Sequence, residues 1–408
     1  MGDSRPTPSS NPQTGGKTLA GRAGLIQPFK VMELSARAAH YERAGENVVH
    51  FQVGEPDFST CAPIIEAGQA ALAGGHTKYS DACGIPALRE AIAADYTERL
   101  GVAVPAEAIL VTPGASGALT MLLGALFNAE QELLLADPGY PCNSAFAHLV
   151  GALPRLLPTT AATEYQLSAQ AVDSAWNPQT RGVLVASPAN PTGGMLGRKA
   201  LEALVGVIQR RRGVLLMDEI YSGLVYERAD DSYHTGWEVS REMFLVNSFS
   251  KYFGMTGWRL GWIVAPQWAH DALNRLAQNL FISPSTPAQW AALAAFQPAA
   301  LAEHERRRKV YQRRRDLLLG GLQQLGLQIP FTPKGGFFLY VDISSTGMDA
   351  ETFCWRLIEE YKVAVTPGTD FGNNASSTHV RFAFTTAEEQ IVLGIERIQS
   401  ALQAWRYN

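Results

Sequence analysis

Residues 244–261 read FLVNSFSKYFGMTGWRLG: an apolar run, then hydroxyls and a lysine, then a glycine-rich turn that contains an arginine. The run Phe244–Val246 predicts a buried strand, and Lys251 follows it closely. A lysine near the end of a buried strand, among serines and glycines, can be partly desolvated, which lowers its pKa and helps it form a Schiff base. The ordinary alternative is a solvated surface amine, so Lys251 is a candidate cofactor anchor.

Phosphate binders are candidates on both sides of this lysine. The hydroxyls of Ser248 and Ser250 and the guanidinium of Arg259 could reach a phosphate. The turn TPGASG at residues 112–117 also follows a strand-like run and opens a helix-like stretch. Backbone N–H groups at a helix N-terminus bind phosphate. A glycine-rich turn is equally common as structural punctuation, and this one matches neither a G-x-G-x-x-G fingerprint nor a Walker loop.

Short apolar runs alternate with helix-like stretches from about residue 60 to 290. The runs lie at Val111 and at residues 133–135, 183–186, 214–217, 244–246 and 263–264, with helical patterns such as 115–127 and 198–211 between them. This alternation indicates a buried, mostly parallel sheet. Ligands bind at the carboxyl ends of such strands. We therefore expect the polar segments 112–117, 137–140, 187–193, 218–221 and 247–251 to meet at one edge.

The chain is predicted to be an α/β protein with a second, smaller α+β domain. After residue 290 a long charged helical stretch is followed by strands mixed with helices, including strand-like 335–341, 363–365 and 380–384 and a helix around 350–361. The predicted parts are a disordered leader at 1–20, an N-terminal segment at 21–59 that packs with the small domain, a large cofactor-binding domain at 60–290, and the small domain at 291–408.

Asp218 ends the apolar run 214–217, and two interpretations of it stay open. It is either a helix cap or turn residue, or a buried anion that keeps a pyridinium nitrogen protonated so that the ring can accept electrons. In the second case Tyr221 and Asn190 could hydrogen-bond to a phenolic oxygen of the ring. Tyr140, in a Pro-Gly-Tyr-Pro turn, could stack on the ring face, although aromatic residues between prolines are often simply packed.

Arg381 lies within the apolar strand-like run 380–384. A lone arginine in such a strand needs a paired anion, and its planar guanidinium suits a substrate carboxylate. An internal salt bridge is the competing interpretation.

Composition excludes several classes of function. The 408 residues are 46% hydrophobic and 18% charged, with a formal net charge of -4, so no basic bias points to nucleic acid. The basic stretch 306–315 is predicted to be a solvated helix face. Four scattered cysteines favour neither a metal site nor a disulfide framework. No apolar run reaches the roughly 18 residues that a membrane span needs, and we expect a cytoplasmic protein.

Taken together and in this order, the motifs resemble those of the class I/II aminotransferases, which are fold type I pyridoxal-phosphate enzymes. The resemblance covers nearly everything from about residue 25 onward. It is carried by residues 53–58, 78–79 with 84 and 88–92, 112–116, 137–141, 190–193, 218–221, 248–251, 257–261 and 380–382. One departure is Gly117, where many members of the family have Glu or Gln.

The resemblance implies a large, mostly parallel seven-stranded sheet, a homodimer with shared active sites, and pyridoxal 5'-phosphate as cofactor. Lys251 would carry the cofactor and transfer the proton, Asp218 would pair with the pyridine nitrogen, and Tyr140 would stack on the ring. Asn190 and Tyr221 would bind the ring oxygen. The phosphate would be bound by Gly114, Ala115, Ser116, Ser248, Ser250 and Arg259, and also by Tyr79 of the neighbouring subunit. The substrate would be bound by Arg381, Gly54 and Asn190. Residues 26–29 resemble a mobile segment that closes over the substrate.

The function implied is transfer of an amino group from an L-amino acid to a 2-oxo acid by a ping-pong mechanism. A lyase that eliminates a β or γ substituent is an alternative on the same scaffold, because it would use the same lysine, aspartate and arginine. A non-catalytic, cofactor-binding regulator is a more remote alternative. The motifs do not indicate which amino donor or 2-oxo acceptor is used.

Overall fold

The computed structural model describes residues 19–228 and 231–405, so the predicted leader lies outside the described residues except for its last two positions. The helices are α1 Lys30–Arg43, α2 Ala62–Ala73, α3 Pro86–Leu100, α4 Gly114–Leu126, α5 Cys142–Leu149, α6 Ala169–Ala175, α7 Arg198–Arg210, α8 His270–Leu280, α9 Thr286–Leu293, α10 Pro298–Gln324, α11 Ala350–Tyr361 and α12 Glu388–Trp405. The strands are β1 Val49–His50, β2 Ile109–Thr112, β3 Glu132–Asp137, β4 Leu153–Pro158, β5 Thr180–Ala186, β6 Val214–Asp218, β7 Phe244–Ser248, β8 Gly261–Val264, β9 Phe338–Asp342, β10 Val363–Ala364, β11 Thr366–Pro367 and β12 His379–Ala383.

Seven strands form one large sheet in the order β2-β8-β7-β6-β5-β3-β4. Strand β8 is antiparallel to both of its neighbours, and the other neighbouring pairs are parallel. The predicted mostly parallel α/β sheet is therefore confirmed, and each of the six predicted apolar runs forms a strand. The seventh strand, β4, is an edge strand that contains two prolines, a position where proline is tolerated because the outer side needs no ladder hydrogen bond.

Both faces of the large sheet are covered. Along β6, Val214 and Leu216 belong to one apolar cluster together with α4 and α8, whereas Leu215 and Met217 belong to the opposite cluster. Successive side chains of a strand point to opposite faces. Coverage of both faces is therefore why these strands contain runs in which consecutive residues are apolar.

The register of the sheet brings the polar segments to one edge. Gly261 is paired with Thr112 on one side and with Ser248 on the other, while Asp218 is paired with Val246 and Ala186. Because β8 runs antiparallel, its beginning lies beside the carboxyl ends of β2 and β7. The turn that precedes β8 thus reaches the same edge as the segments that follow the parallel strands.

The smaller sheets combine residues from both ends of the chain. Strand β1 pairs in parallel with β10, and β11, β12 and β9 form an antiparallel sheet in which Arg381 is opposite Tyr340 and Thr366. Helix α1 is attached to the segment after β11: the Asp370 carboxylate accepts the backbone N–H groups of Lys30 and Val31, each at 2.9 Å. The first helical turn of α1 is held by the C-terminal part of the chain.

The basic stretch 306–315 does form a helix, α10, but the predicted solvated face is wrong for two of its arginines. Arg314 and Arg315 are buried. Arg314 donates to Asp57 at 2.8 Å, and Arg315 donates to the carbonyl oxygen of Pro333 at 2.8 Å and pairs with Glu227. These two side chains connect α10 to loops of the fold.

Candidate active site

A cavity of about 520 Å³ lies at the carboxyl edge of the large sheet, between that sheet and β12. Most of the residues predicted to form the site line this cavity. They are Gly54, Ala115, Ser116, Tyr140, Asn190, Asp218, Tyr221, Ser248, Ser250, Lys251, Arg259 and Arg381. Two predicted residues are not part of the lining. Gly114 lies next to the guanidinium of Arg259, and Tyr79 is 79% exposed.

Lys251 is partly buried in this cavity. Its Nζ donates to the carbonyl oxygen of Gly54 at 2.8 Å and lies 5.6 Å from the centroid of the Phe337 ring. Burial lowers the pKa of Lys251 from 10.5 to about 8, opposed by the charge of Glu55 and assisted by the charges of Arg381 and Arg259. A lysine with this pKa has a much larger neutral fraction near neutral pH than an ordinary lysine, and an amine nucleophile or a general base must be neutral.

Asp218 is buried at the end of β6. Its Oδ1 accepts a hydrogen bond from the backbone N–H of Ile220 at 3.1 Å. One carboxylate oxygen of Asp218 therefore has the role of a turn residue, as the first interpretation predicted. Burial raises the pKa of Asp218 to about 6, with the Ile220 N–H and the charge of Lys251 acting in the opposite direction. An acid in this environment favours a cationic partner, because pairing offsets the desolvation of the charged carboxylate.

Tyr221 is also buried, three residues beyond Asp218. Its ring packs edge-on against Phe337 and Phe338 at centroid distances of 5.2 and 5.7 Å. Burial raises the pKa of its hydroxyl well above the usual range, so the hydroxyl remains a hydrogen-bond donor. The packing fixes the direction in which that hydroxyl points.

A group of donors lies at the junction of α4, β7 and the turn before β8. Ser248 Oγ donates to Ser250 Oγ at 2.8 Å, and Arg259 Nη1 lies 3.5 Å from Ser250 Oγ. The first N–H groups of α4, including those of Ala115 and Ser116, have no intrahelical acceptor. Hydroxyls, a guanidinium and free backbone N–H groups together form a donor set suited to a phosphate.

The backbone at Gly114 is shaped for this arrangement. Gly114 has a φ of +72°, and a Cβ placed there would lie 2.5 Å from Nη2 of Arg259. Arg259 itself has a φ of +52°. The absence of a side chain at Gly114 therefore lets the guanidinium reach the start of α4, and the residues fit a phosphorylated cofactor whose phosphate binds there.

Arg381 is buried on β12, and its guanidinium is stacked between Phe338 and Phe371, at 4.5 and 4.7 Å from the ring centroids. It donates to the carbonyl oxygen of Gln52 at 2.6 Å and to Asn190 Oδ1 at 3.0 Å. Burial lowers the pKa of Arg381 to about 10.

Within residues 19–228 and 231–405, no carboxylate lies within 4 Å of Arg381, so the internal salt bridge is not formed there. Its Nε is buried and has no hydrogen-bond partner among the described residues. A buried guanidinium that lacks an anion is suited to a carboxylate ligand.

Three contributors to the site were not predicted from sequence. Phe338 and Phe371 enclose Arg381, and Gln52 orients it through a main-chain oxygen. The Phe337-Phe338 pair after two glycines is a sequence feature that could have suggested Phe338 as a site residue. Nothing in the sequence near Phe371 links that residue to Arg381. Any residue type has a main-chain carbonyl oxygen, so the identity of Gln52 does not reveal that its oxygen accepts a hydrogen bond.

Two further properties concern only the part of the chain that the structure describes. None of its helices is both long enough and apolar enough to cross a membrane. No group of three or more His, Cys, Asp and Glu side chains is arranged there to hold a metal ion.

Comparison with known proteins identifies relatives across nearly the whole chain. A model of the family described as aminotransferase class I and II matches residues 46–398. The chain is 38% identical over 384 residues to the valine–pyruvate aminotransferase of Mycobacterium tuberculosis, covering 94% of this chain and 98% of that protein. It is 35% identical to the aspartate/prephenate aminotransferase of Thermus thermophilus, covering 94% and 98% respectively.

Solved structures agree with these relatives. A crystal structure of an aminotransferase from Mycobacterium tuberculosis matches with a TM-score of 0.91 and 37% identity, over 95% of this chain and all of that one. The aspartate aminotransferase of Thermus thermophilus with maleate matches with a TM-score of 0.88 and 35% identity, over 94% of this chain and 99% of that one.

These relatives decide between the functions that the motifs left open. All of the relatives named above are aminotransferases, and the elimination alternative has no support among them. The same relatives support an enzyme rather than a non-catalytic regulator. The chain therefore belongs to the class I and II aminotransferases, enzymes that transfer amino groups with pyridoxal 5'-phosphate.

Proposed function

We propose that the cavity at the carboxyl edge is the catalytic site for transfer of an amino group from an L-amino acid to a 2-oxo acid, with the residue roles predicted from sequence. The observation that carries this proposal is the placement of Lys251, with its lowered pKa, in the same cavity as buried Asp218 and Arg381. One cavity thus contains an amine and a carboxylate that suit the cofactor, and a guanidinium that suits the α-carboxylate of the amino acid and of the 2-oxo acid.

Bound pyridoxal 5'-phosphate supplies a carbonyl that takes up the amino group and a ring that withdraws electrons from the substrate Cα. In our proposal Lys251 holds this cofactor covalently through Nζ, and Asp218 keeps the ring nitrogen protonated. Asn190 and Tyr221 bind the ring oxygen, and Tyr140 packs on the ring face. The phosphate is held by Gly114, Ala115, Ser116, Ser248, Ser250 and Arg259.

The substrate in this proposal is oriented by its α-carboxylate, which binds Arg381 with the backbone of Gly54 and with Asn190. Lys251 Nζ, as a free amine, would remove the proton from the substrate Cα. Its lowered pKa makes the neutral amine available for that step. Residues 26–29, of which Phe29 lines the site, would exclude water when the substrate is bound.

The chain is also proposed to form a homodimer in which Tyr79 reaches the phosphate in the site of the neighbouring subunit. The support is that Tyr79 is highly exposed and lies outside the lining of its own cavity, while Leu280 and Ile282 are exposed apolar side chains. An exposed phenol and exposed apolar residues are typical of an interface that a single chain leaves uncovered. Mixing Lys251→Ala with Tyr79→Ala tests this proposal, since we expect each variant alone to have little activity.

In a mixed dimer, one site would contain Lys251 from one variant and Tyr79 from the other, so about a quarter of the wild-type activity should return after random mixing. A mixture as inactive as its components, although the subunits have exchanged, would contradict the shared site. Elution of the purified protein as a monomer would contradict the dimer itself.

Two coarser proposals complete this description. The chain divides into segment 21–59, a large domain at 60–290 and a small domain at 291–408, supported by the pairing of β1 with β10.

The protein is cytoplasmic, supported by its four free cysteines, Cys61, Cys83, Cys142 and Cys354, which suit a reducing compartment. Cell fractionation tests the second of these.

Absorbance and isotope transfer test the reaction. Purified protein supplied with pyridoxal 5'-phosphate should show a visible absorption band that changes when an amino acid is added, and a labelled 2-oxo acid should become a labelled amino acid. Release of ammonia without formation of the labelled amino acid would contradict transamination.

A further inference from the structure

A second cavity of about 620 Å³ adjoins the first, and the two share the side chains of Tyr140, Asn190 and Phe371. Asn190 and Phe371 are among the residues that contact the Arg381 guanidinium, by a hydrogen bond and by stacking respectively. The two cavities therefore meet beside the proposed α-carboxylate binder.

The lining of the second cavity is largely apolar, and its surface carries several aromatic rings. Segment 25–29 contributes Leu25, Ile26 and Phe29 to this lining, and α5 contributes Phe146. Tyr165 and Phe371 contribute further rings. The volume lies within the roughly 300–1,000 Å³ that is usual for small-molecule sites, so it accommodates a side chain much larger than a methyl group.

The charged groups that line this cavity are already paired or lie at its rim. Lys30 Nζ donates to Glu351 and to Thr369 Oγ1. The two Asp370 oxygens each accept a backbone N–H of α1. Glu33 is exposed to solvent.

His148 is the remaining titratable group in the lining apart from the thiol of Cys142 and the phenols, and burial lowers the pKa of its imidazole below the usual range. It is therefore mostly neutral near pH 7. Among the described residues, this cavity offers no unpaired cation to a second carboxylate of a substrate.

We propose that this second cavity receives the substrate side chain and that it selects bulky apolar amino acids, branched aliphatic or aromatic, together with the matching 2-oxo acids. The inference rests on the proposed function, because it uses Arg381 as the anchor of the α-carboxylate. Selection follows from burial: an apolar side chain gains from leaving water, whereas a side-chain carboxylate would lose its hydration without finding a partner.

The first test measures single-turnover rates with a panel of donors: alanine, valine, leucine, phenylalanine, aspartate, glutamate and lysine. The rate constant divided by the apparent dissociation constant should be highest for leucine and phenylalanine and lowest for aspartate and glutamate. Fastest turnover of aspartate or glutamate would overturn the inference and leave the aminotransferase function intact. Fastest turnover of lysine would likewise overturn it. No response to any donor, with no labelled product, would instead contradict the proposed function.

The second test narrows the cavity. Ser144 lines it from α5, so Ser144→Leu should lower the efficiency with phenylalanine by roughly 10- to 200-fold and change the efficiency with alanine little. Ser174→Leu, at an exposed position of α6 outside both cavity linings, is the matched control. Equal losses for phenylalanine and alanine in Ser144→Leu would contradict the proposal.

A third variant adds the missing cation and does not depend on core packing. Ile26 is 43% exposed and lines the second cavity, so Ile26→Lys should fold and place an ammonium there. We expect the ratio of glutamate to leucine efficiency to rise at least about tenfold. An unchanged ratio in this folded variant would show that the substrate side chain lies elsewhere.

Discussion

The Arg381 guanidinium donates a hydrogen bond to the side-chain oxygen of Asn190 at 3.0 Å. This bond joins strand β12 to the loop that follows β5, two parts of the chain that are 191 residues apart. The proposed binder of the cofactor oxygen and the proposed binder of the substrate carboxylate therefore orient each other.

Replacing Asn190 with an acid should inhibit substrate binding more than removing its side chain does. In Asn190→Asp a carboxylate would pair with Arg381 and compete with the substrate carboxylate. We expect KM for both amino acid and 2-oxo acid to rise at least about tenfold more than in Asn190→Ala. Asn128→Asp, at an exposed loop position, is the control. Similar KM values in the two Asn190 variants would contradict this account.

Arg381→Lys should not preserve function, although it preserves the charge. A lysine lacks the planar fork that stacks between Phe338 and Phe371 and binds a carboxylate with two hydrogen bonds. We expect kcat/KM to fall by roughly 30- to 1,000-fold in both half-reactions, with the cofactor absorption band unchanged. Arg313→Lys, on the exposed side of α10, should have no effect. An intact kcat/KM would refute the role of Arg381.

Lys251→Ala should bind the cofactor without a covalent bond and lose turnover. General acid–base catalysis contributes roughly 100- to 10,000-fold, and the loss should be at least that large. The visible band of the purified protein should shift toward that of free cofactor. Lys199→Ala removes an exposed lysine and serves as the control. Retained turnover in Lys251→Ala would show that another group moves the proton.

Asp218→Asn should stabilise the protein without cofactor while it lowers activity. Burial raises the pKa of Asp218 from 3.8 to about 6, so ionisation above pH 6 opposes folding. At pH 7 the free energy of unfolding of the variant should therefore exceed that of the wild type by about 2 kcal/mol. This difference should disappear as the pH falls from about 6 to 4. Thermal unfolding of both proteins across this range measures it.

The same variant should lose activity by roughly 100-fold or more, because a neutral amide does not hold the pyridine nitrogen protonated. Activity close to wild type would contradict the pairing of Asp218 with the cofactor. Equal stability of the two proteins at pH 7 would instead contradict the burial cost of the carboxylate.

Gly114→Ala should weaken cofactor binding. The new Cβ would lie 2.5 Å from Arg259 Nη2, and the φ of +72° is strained for alanine. We expect the dissociation constant of pyridoxal 5'-phosphate to rise about tenfold or more. Gly124→Ala, on the same helix with its nearest neighbouring atom at 3.9 Å, should leave it unchanged. Unchanged affinity in Gly114→Ala would mean that Arg259 can move away freely.

The sequence predicts the parts of the fold that depend on local pattern. The buried strands β2, β5, β6 and β7 each contain an apolar run because both faces of the sheet are covered, and the polar segments after them meet at one edge as expected. Strand β4 carries no such signal. It is a half-exposed edge strand with prolines at both Pro154 and Pro158.

Contacts between distant segments are the parts that sequence does not reveal. Phe371 stacks on Arg381 only because the fold places the loop after β11 over β12. Burial of Arg314 and Arg315 depends on loops elsewhere in the chain that supply Asp57 and the Pro333 carbonyl. Helical periodicity can place a side chain on a face, but it does not show which partner covers that face.

The joining of the chain ends in the small sheets affects how the polypeptide folds during synthesis. Thr366 Oγ1 donates to the carbonyl oxygen of Gln52, 314 residues earlier in the chain. At about 5–20 residues per second, a ribosome needs roughly 15–60 s to produce that interval. The residues around β1 therefore leave the ribosome long before their partners exist, while the large sheet can already assemble. A nascent chain halted near residue 300 would contain the complete seven-stranded sheet and an N-terminal segment still waiting for β10 and β11.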